Sequence, residues 1–249
     1  MELKGKSALI TGGTRGIGAA TAIALAREGA NVVISARRKD AAATATLEAI
    51  RSLGGKAEFV GADFARPTDC SKVVEDTVRL LGGVDLLVHA AGGPVNGGLL
   101  EISTEQWDQA FAVHVHAIFH LCRAAIPYMK PKRDGAILLV SSTAGIRGII
   151  TNVAYQVAKG ALPQFTRALA REFANDNIRV NCVAPGVIRT DFHATMSEQQ
   201  RKLNLEQRIP LHREGTPEQV AGVALELLRN DYITGETFTI DGGLTMRIA

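Results

Sequence analysis

Tyr155-Gln-Val-Ala-Lys159 sets a phenol and an ammonium four residues apart, so on a helix both side chains lie on one face and can enter one site. A free phenol ionises near pH ~10 and is a poor base at neutrality. A neighbouring ammonium favours the phenolate and lowers that value. So placed, Tyr155 would take a proton from an alcohol or return one to a carbonyl, a transfer that contributes ~10²–10⁴-fold in rate. Thirteen residues before the tyrosine, the apolar run Ile137-Leu138-Leu139-Val140 ends on Ser141-Ser142. A hydroxyl there would hold the substrate oxygen and stabilise the charge that develops on it. A tyrosine and a lysine at this spacing also occur on ordinary surface helices, and a serine at a strand end also serves as a simple cap. The three together, in this order, carry the reading.

A second constellation lies near the N-terminus. Thr11-Gly12-Gly13-Thr14-Arg15-Gly16-Ile17-Gly18 follows a short apolar run and opens into an Ala-rich segment. Gly12, Gly16 and Gly18 would permit a tight turn, close backbone approach to a pyrophosphate, and tight packing of helix on strand. The N–H groups at the helix start, from Thr14 through Ile17, would then face the anion. A glycine-rich turn without a ligand is the plainer alternative, but the strand before it and the helix after it are the context a dinucleotide site requires. The next apolar run ends at Ser35 and continues Ala36-Arg37-Arg38-Lys39. An NAD site places an acid here to accept the ribose 2′-hydroxyl, and that acid repels a 2′-phosphate. Ala36 stands in that place. Arg37, or Arg38 beside it, together with Arg15 would converge on a phosphate, against the alternative of a solvated basic turn. NADP(H) is therefore expected to be favoured over NAD(H).

The elements that would position these groups follow from periodicity. Strands are expected at Ser7–Ile10, Asn31–Ser35, Ala57–Gly61, Asp85–His89, Ala136–Ser141, Arg179–Ala184 and Thr237–Ile240. Helices are expected near Ile17–Glu28, Ala41–Leu53, Thr68–Leu81, Thr104–Lys130, Tyr155–Phe173 and Pro217–Leu228. Continuously apolar strands such as Leu86–Val88 read as buried on both faces, which places helices on both sides of a parallel sheet. The alternation predicts one α/β domain over residues 1–249, a doubly wound Rossmann fold on a mainly parallel seven-stranded sheet. The polar stretch at about 190–210 reads as a substrate-loop insertion beside the carboxyl ends of the strands.

Composition narrows the class further. Hydrophobic residues are 46% and charged residues 21%, with a formal net charge of +3 and scattered basic residues, which gives no footing for nucleic acid. Cys70, Cys122 and Cys182 are widely spaced and odd in number, which argues for neither a disulfide framework nor zinc. His116 and His120 lie four apart but lack an acidic partner or an HExxH pattern, so no metal is expected. Neither a secretory leader nor a membrane-length apolar run is evident. A cytoplasmic protein without a membrane partner is the expectation.

Glycine turn, serine, tyrosine and lysine in this order resemble the short-chain dehydrogenase/reductase family, and the resemblance, closest to its 3-oxoacyl-acyl-carrier-protein reductase branch, extends over essentially the whole chain. The segment Ser142-Thr-Ala-Gly145 fits the family pattern and selects Ser142 rather than Ser141. The resemblance implies that Asp63-Phe64 meets the adenine, with a turn or N-cap aspartate as the competing account. It also implies that Ala90, Ala91 and Gly92 pass the cofactor ribose, and that Pro185, Gly186, Ile188 and Thr190 flank the nicotinamide. Tyr155 and Lys159 would serve cofactor as well as substrate. Two departures stand out. His89-Ala90 replaces a pair of asparagines, and His114 stands where the family carries an asparagine that supports a helix irregularity with a water held on its carbonyl. An imidazole there would preserve the relay through the main chain or add a proton acceptor.

The family further implies reduction of β-keto acyl groups or small ketones, or oxidation of sugars, with a small-molecule alcohol or carbonyl as substrate. It implies a homotetramer built partly on the Thr104–Lys130 and Tyr155–Phe173 helices. The rival reading is a nonenzymatic NADP(H)-binding sensor or scaffold of the same fold.

Overall fold

The computed structural model describes residues 1–193 and 196–246. Seven parallel strands form one sheet among the described residues: β1 (Ser7–Thr11), β2 (Asn31–Ala36), β3 (Ala57–Gly61), β4 (Leu86–His89), β5 (Gly135–Val140), β6 (Ile178–Pro185) and β7 (Thr237–Ile240). Their order in space is β3-β2-β1-β4-β5-β6-β7. The order reverses between β1 and β4, where Thr11 pairs in register with His89. Sheets of this kind bind ligands outside the carboxyl ends of the strands at that reversal.

Helices cover both faces. Alternate residues of β1 show the two-fold period: Leu9 joins the core cluster beneath α3 (Pro67–Leu81) and α5 (Ala117–Met129), while Ala8 and Ile10 join the cluster beneath α1 (Gly16–Arg27) and α2 (Ala41–Ser52). α6 (Val153–Phe173) lies on the first face and α8 (Pro217–Arg229) on the second. Every residue of β1, β4, β5 and β6 is buried, as apolar parallel strands under two helical layers must be.

Two expectations need correction. The helix expected over Thr104–Lys130 is three pieces: α4 (Thr104–Phe111), a π-turn at Ala112–His116, and α5. The i→i+5 pattern cannot be read from an apolar period, because one inserted residue shifts the helix face without altering composition. By length and apolarity the run Thr104–Lys132 also reaches what a membrane span requires, contrary to the expected absence of such a stretch. Here it serves as a core helix, with Ile118, Leu121, Ala125 and Met129 buried. The stretch at 190–210 carries a 3-10 turn, α7 (Glu198–Leu203) and a second π-turn at Asn204–Arg208; its Ala194 and Thr195 lie outside the described residues.

Candidate active site

The glycine turn is built for close approach. Gly12 and Gly16 have φ of +67° and +55°, conformations that side chains disfavour. A Cβ on Gly12 would come 2.7 Å from the amide nitrogen of Ala91, and one on Gly18 would come 2.2 Å from the carbonyl oxygen of Gly12. The Ala90–Ala91 backbone is thereby pressed against the turn. Asp40, Ser103, Ser197 and Thr216 cap α2, α4, α7 and α8 with side-chain hydrogen bonds. α1, whose N-cap is Arg15, has no such bond, as α3 and α6 also have none; following the glycine turn, its first N–H groups are the ones placed to meet a pyrophosphate. Across the turn, a Cβ on Gly16 would meet Thr190 Cγ2 at 3.2 Å. Buried Ile188 bridges to Gly215 in the same loop, and a Cβ on Gly186 would meet Asp241 at 2.7 Å. The residues present therefore fit a dinucleotide along Gly12–Gly18, Ala90–Gly92 and Pro185–Thr190.

The cationic group is arranged differently from the expectation. Arg15 pairs with Asp40, which also caps α2 through the Ala43 amide, and lies 3.7 Å from Asp191. Arg37 and Arg38 are exposed beside it. Asp40 was passed over in the sequence reading; an aspartate immediately before an Ala-rich helix was the signal available. Asp63 accepts a hydrogen bond from the Ala65 amide at 3.1 Å and lies 3.9 Å from Arg66, an arrangement compatible with both the turn role and the adenine contact. The Phe64 ring is buried in the core, edge-on to His89.

Ser142, Tyr155 and Lys159 come together at the carboxyl end of β5. Ser141, the alternative, is committed to structure: its hydroxyl donates to the Lys159 carbonyl at 2.8 Å. Ser142 follows it, caps the short turn Thr143–Gly145, and its hydroxyl is near enough to the Tyr155 phenol to favour the phenolate. A Cβ on Gly145 would strike the Lys159 main chain at 2.6 Å, and this close approach seats α6 against that turn. Lys159 is buried, its ammonium donating to the Val140 carbonyl at 2.6 Å and lying 5.8 Å from the centre of the Tyr155 ring.

The ammonium alone does not acidify the phenol. Burial pushes Tyr155 up to about 12, opposed only by the hydrogen bond with Ser142. Burial likewise lowers Lys159 to about 8. Desolvation outweighs the lysine because the charged form of each group has lost water before gaining a compensating partner.

His114 faces Tyr155 edge-on, with ring centres 5.5 Å apart, from within the π-turn. Its Nε2 donates to the Gly93 carbonyl at 3.2 Å, and its Nδ1 is buried without a partner. Burial, then the charge of Lys159, then His89 lower it to about 2, so the ring is neutral. Phe192, missed in the sequence, lies 5.6 Å from the Tyr155 ring on its own side of the site. Only loop packing brings it there, and no local pattern announces that. Trp107 and Phe111 form a half-buried pair with ring centres 4.9 Å apart.

A doubly wound sheet with an uncapped glycine turn and a serine–tyrosine–lysine cluster at its switch point defines a dinucleotide-binding oxidoreductase. A family model described as enoyl-(acyl carrier protein) reductase matches residues 12–245. The 3-oxoacyl-[acyl-carrier-protein] reductase FabG of Thermotoga maritima is 38% identical over 248 residues, covering 99% of this chain and 100% of its own. Dehydrogenase/reductase SDR family member 4 of Bos taurus is 39% identical, covering 97% of this chain and 88% of its own. The solved structure of L-sorbose reductase from Gluconobacter frateurii, complexed with NADPH and L-sorbose, matches with a TM-score of 0.91 at 31% identity over 100% of both chains. The chain belongs to the short-chain dehydrogenase/reductase family.

Proposed function

We propose that this protein is an NADP(H)-preferring oxidoreductase that interconverts a small-molecule alcohol and its carbonyl. The observation that carries the proposal is the meeting of Ser142, Tyr155 and Lys159 beside a helix start that no side chain caps. Ser142 holds the substrate oxygen, and Tyr155 delivers a proton to it in reduction or removes one in oxidation. Lys159, already fixed by the Val140 carbonyl, is the group that would hold the nicotinamide ribose. When bound, the nicotinamide supplies or takes up the hydride, and its oxidised ring carries the positive charge that favours phenolate.

The NADP(H) preference is supported by Ala36 in the acid's place and by the exposed Arg37 and Arg38 at the end of β2. The relative solved with NADPH points the same way. His114 is read as altering the proton relay beside Tyr155, its neutral ring offering an unpartnered Nδ1 as a hydrogen-bond acceptor. A homotetramer through the outer faces of α5 and α6 is supported by Phe119 and Val157, which are exposed there.

The test is NADPH consumption across a panel of ketones, β-keto thioesters and ketoses, with Tyr155→Phe and His114→Asn beside the wild type. Tyr155→Phe should lose ~10²–10⁴-fold in turnover with NADPH affinity retained, and His114→Asn should keep or raise turnover. NADPH binding with no Tyr155-dependent turnover on any substrate would favour the sensor reading.

A further inference from the structure

His89 ends β4 directly under the proposed dinucleotide turn, with both ring nitrogens engaged in the interior. Its Nδ1 lies 2.9 Å from the Thr11 hydroxyl, and its Nε2 lies 3.1 Å from the Val113 carbonyl. A carbonyl can only accept, so Nε2 carries the proton. The ring is neutral, lowered to about 3 by burial and then by the charge of Lys159, so Nδ1 presents a lone pair and the Thr11 hydroxyl must donate to it. That hydroxyl in turn accepts from the Ala91 amide at 3.3 Å. Every hydrogen in the chain then has one direction, from the Ala91 amide through Thr11 to His89, and from His89 to Val113.

The two ends of this chain are the two halves of the site. Ala91 is pressed against Gly12, and Thr11 is the last residue of β1 before the glycine turn. Val113 belongs to the π-turn and precedes His114, whose ring faces Tyr155. The ionisable groups around the His89 ring are Lys159 and His114, and the edge-on Phe64 ring closes another side.

We propose that His89 is a positioning residue that couples the dinucleotide seat to the π-turn facing Tyr155, through two hydrogen bonds of fixed direction. The coupling rests on the oxidoreductase reading for its consequence in turnover, but not for its detection. Trp107 is the chain's one tryptophan and stacks on Phe111 immediately before the π-turn, so its emission reports on that segment whether or not turnover occurs.

Two replacements divide the imidazole. His89→Asn keeps an acceptor near Nδ1 for Thr11 but cannot reach Val113. His89→Gln carries an amide donor to the Nε2 position and gives up Thr11. His89→Leu removes both bonds.

The experiment titrates each variant with NADP⁺ while following Trp107 emission, then measures kcat and KM on whichever carbonyl the wild type reduces. In the wild type, NADP⁺ should change Trp107 emission. In His89→Asn, His89→Gln and His89→Leu, each of which breaks at least one of the two bonds, the change should fall at least threefold and kcat about tenfold, with substrate KM within twofold. The proposal is overturned if the wild type shows no emission change on binding, or if either His89→Asn or His89→Gln keeps the full wild-type change. A His89→Leu chain that fails to fold leaves the Asn and Gln pair to decide. A wild type without turnover would remove the oxidoreductase reading while the emission arm still judged the coupling.

Discussion

Arg15 and Arg37 come to the cofactor question with different commitments. Arg15 is held by Asp40 and approached by Asp191, so a 2′-phosphate would have to draw it from an existing ion pair. Exposed pairs of this kind are worth little, roughly 0–1 kcal/mol, because water screens them, and a phosphate offering a bidentate contact can outbid one carboxylate. Arg37 stands exposed at the end of β2 with no acid in the place of Ala36. Arg37→Ala should therefore weaken NADP(H) binding by roughly tenfold or more, the range of one charge-assisted hydrogen bond, and leave NAD(H) binding unchanged. Titration of both cofactors checks this; an equal loss for the two would mean that Arg37 does not read the phosphate. The residue scale is also where the sequence reading was incomplete. Arg15 and Arg37 were legible from the absent acid, whereas Asp40 was hidden behind its ordinary role as a helix cap.

At the scale of elements, the turn after β4 and the π-turn interlock. Gly92 has φ +144°, and a Cβ there would lie 2.1 Å from His114 Cε1 and 2.6 Å from its Nδ1. The imidazole fills the volume that any larger residue at 92 would need. Gly92→Ala should displace the ring and cost about 1–3 kcal/mol, as overpacked interiors do. Because the cost arises at one contact, it should shrink when His114→Ala is made as well. Urea unfolding of the two single variants and the double variant measures this, and strictly additive costs would show that the glycine is needed for its backbone angle alone. The helix containing the π-turn was legible as a long apolar helix. Its inserted residue was not, since the same amino acids satisfy either hydrogen-bond pattern and only neighbours such as the Gly93 carbonyl and the Tyr155 ring select one.

For the molecule as a whole, two neutral imidazoles sealed behind the sheet make stability depend on acid. His89 and His114 are lowered from 6.5 to about 3 and about 2. Below pH 6.5 the unfolded chain therefore binds protons that the folded chain refuses, and stability falls as pH drops through that window. The slope approaches about 1.4 kcal/mol per pH unit for each imidazole. Lys159, also cationic when protonated, acts with the same sign: its folded value of about 8 lies below 10.5, so stability rises as pH climbs between those values. Melting temperatures from pH 7 to 4.5 should decline steeply in the wild type and about half as steeply in His114→Asn, which lacks one of the two groups. Parallel declines would mean that carboxylates, not His114, govern the acid limb.

The chain's own residues determined the layered α/β architecture, the glycine turn, and the Tyr155–Lys159 pair with its serine. Each is written in local spacing: period two along β1, four residues along α6, glycines between a strand and a helix. Tertiary structure alone decided three things: that Ser141 is spent on the Lys159 carbonyl while Ser142 reaches Tyr155, that burial rather than the ammonium governs the phenol, and that His89 ties Thr11 to Val113. The reason is physical. Desolvation and hydrogen-bond direction depend on every group that encloses a side chain, and those groups come from strands and helices far apart in sequence.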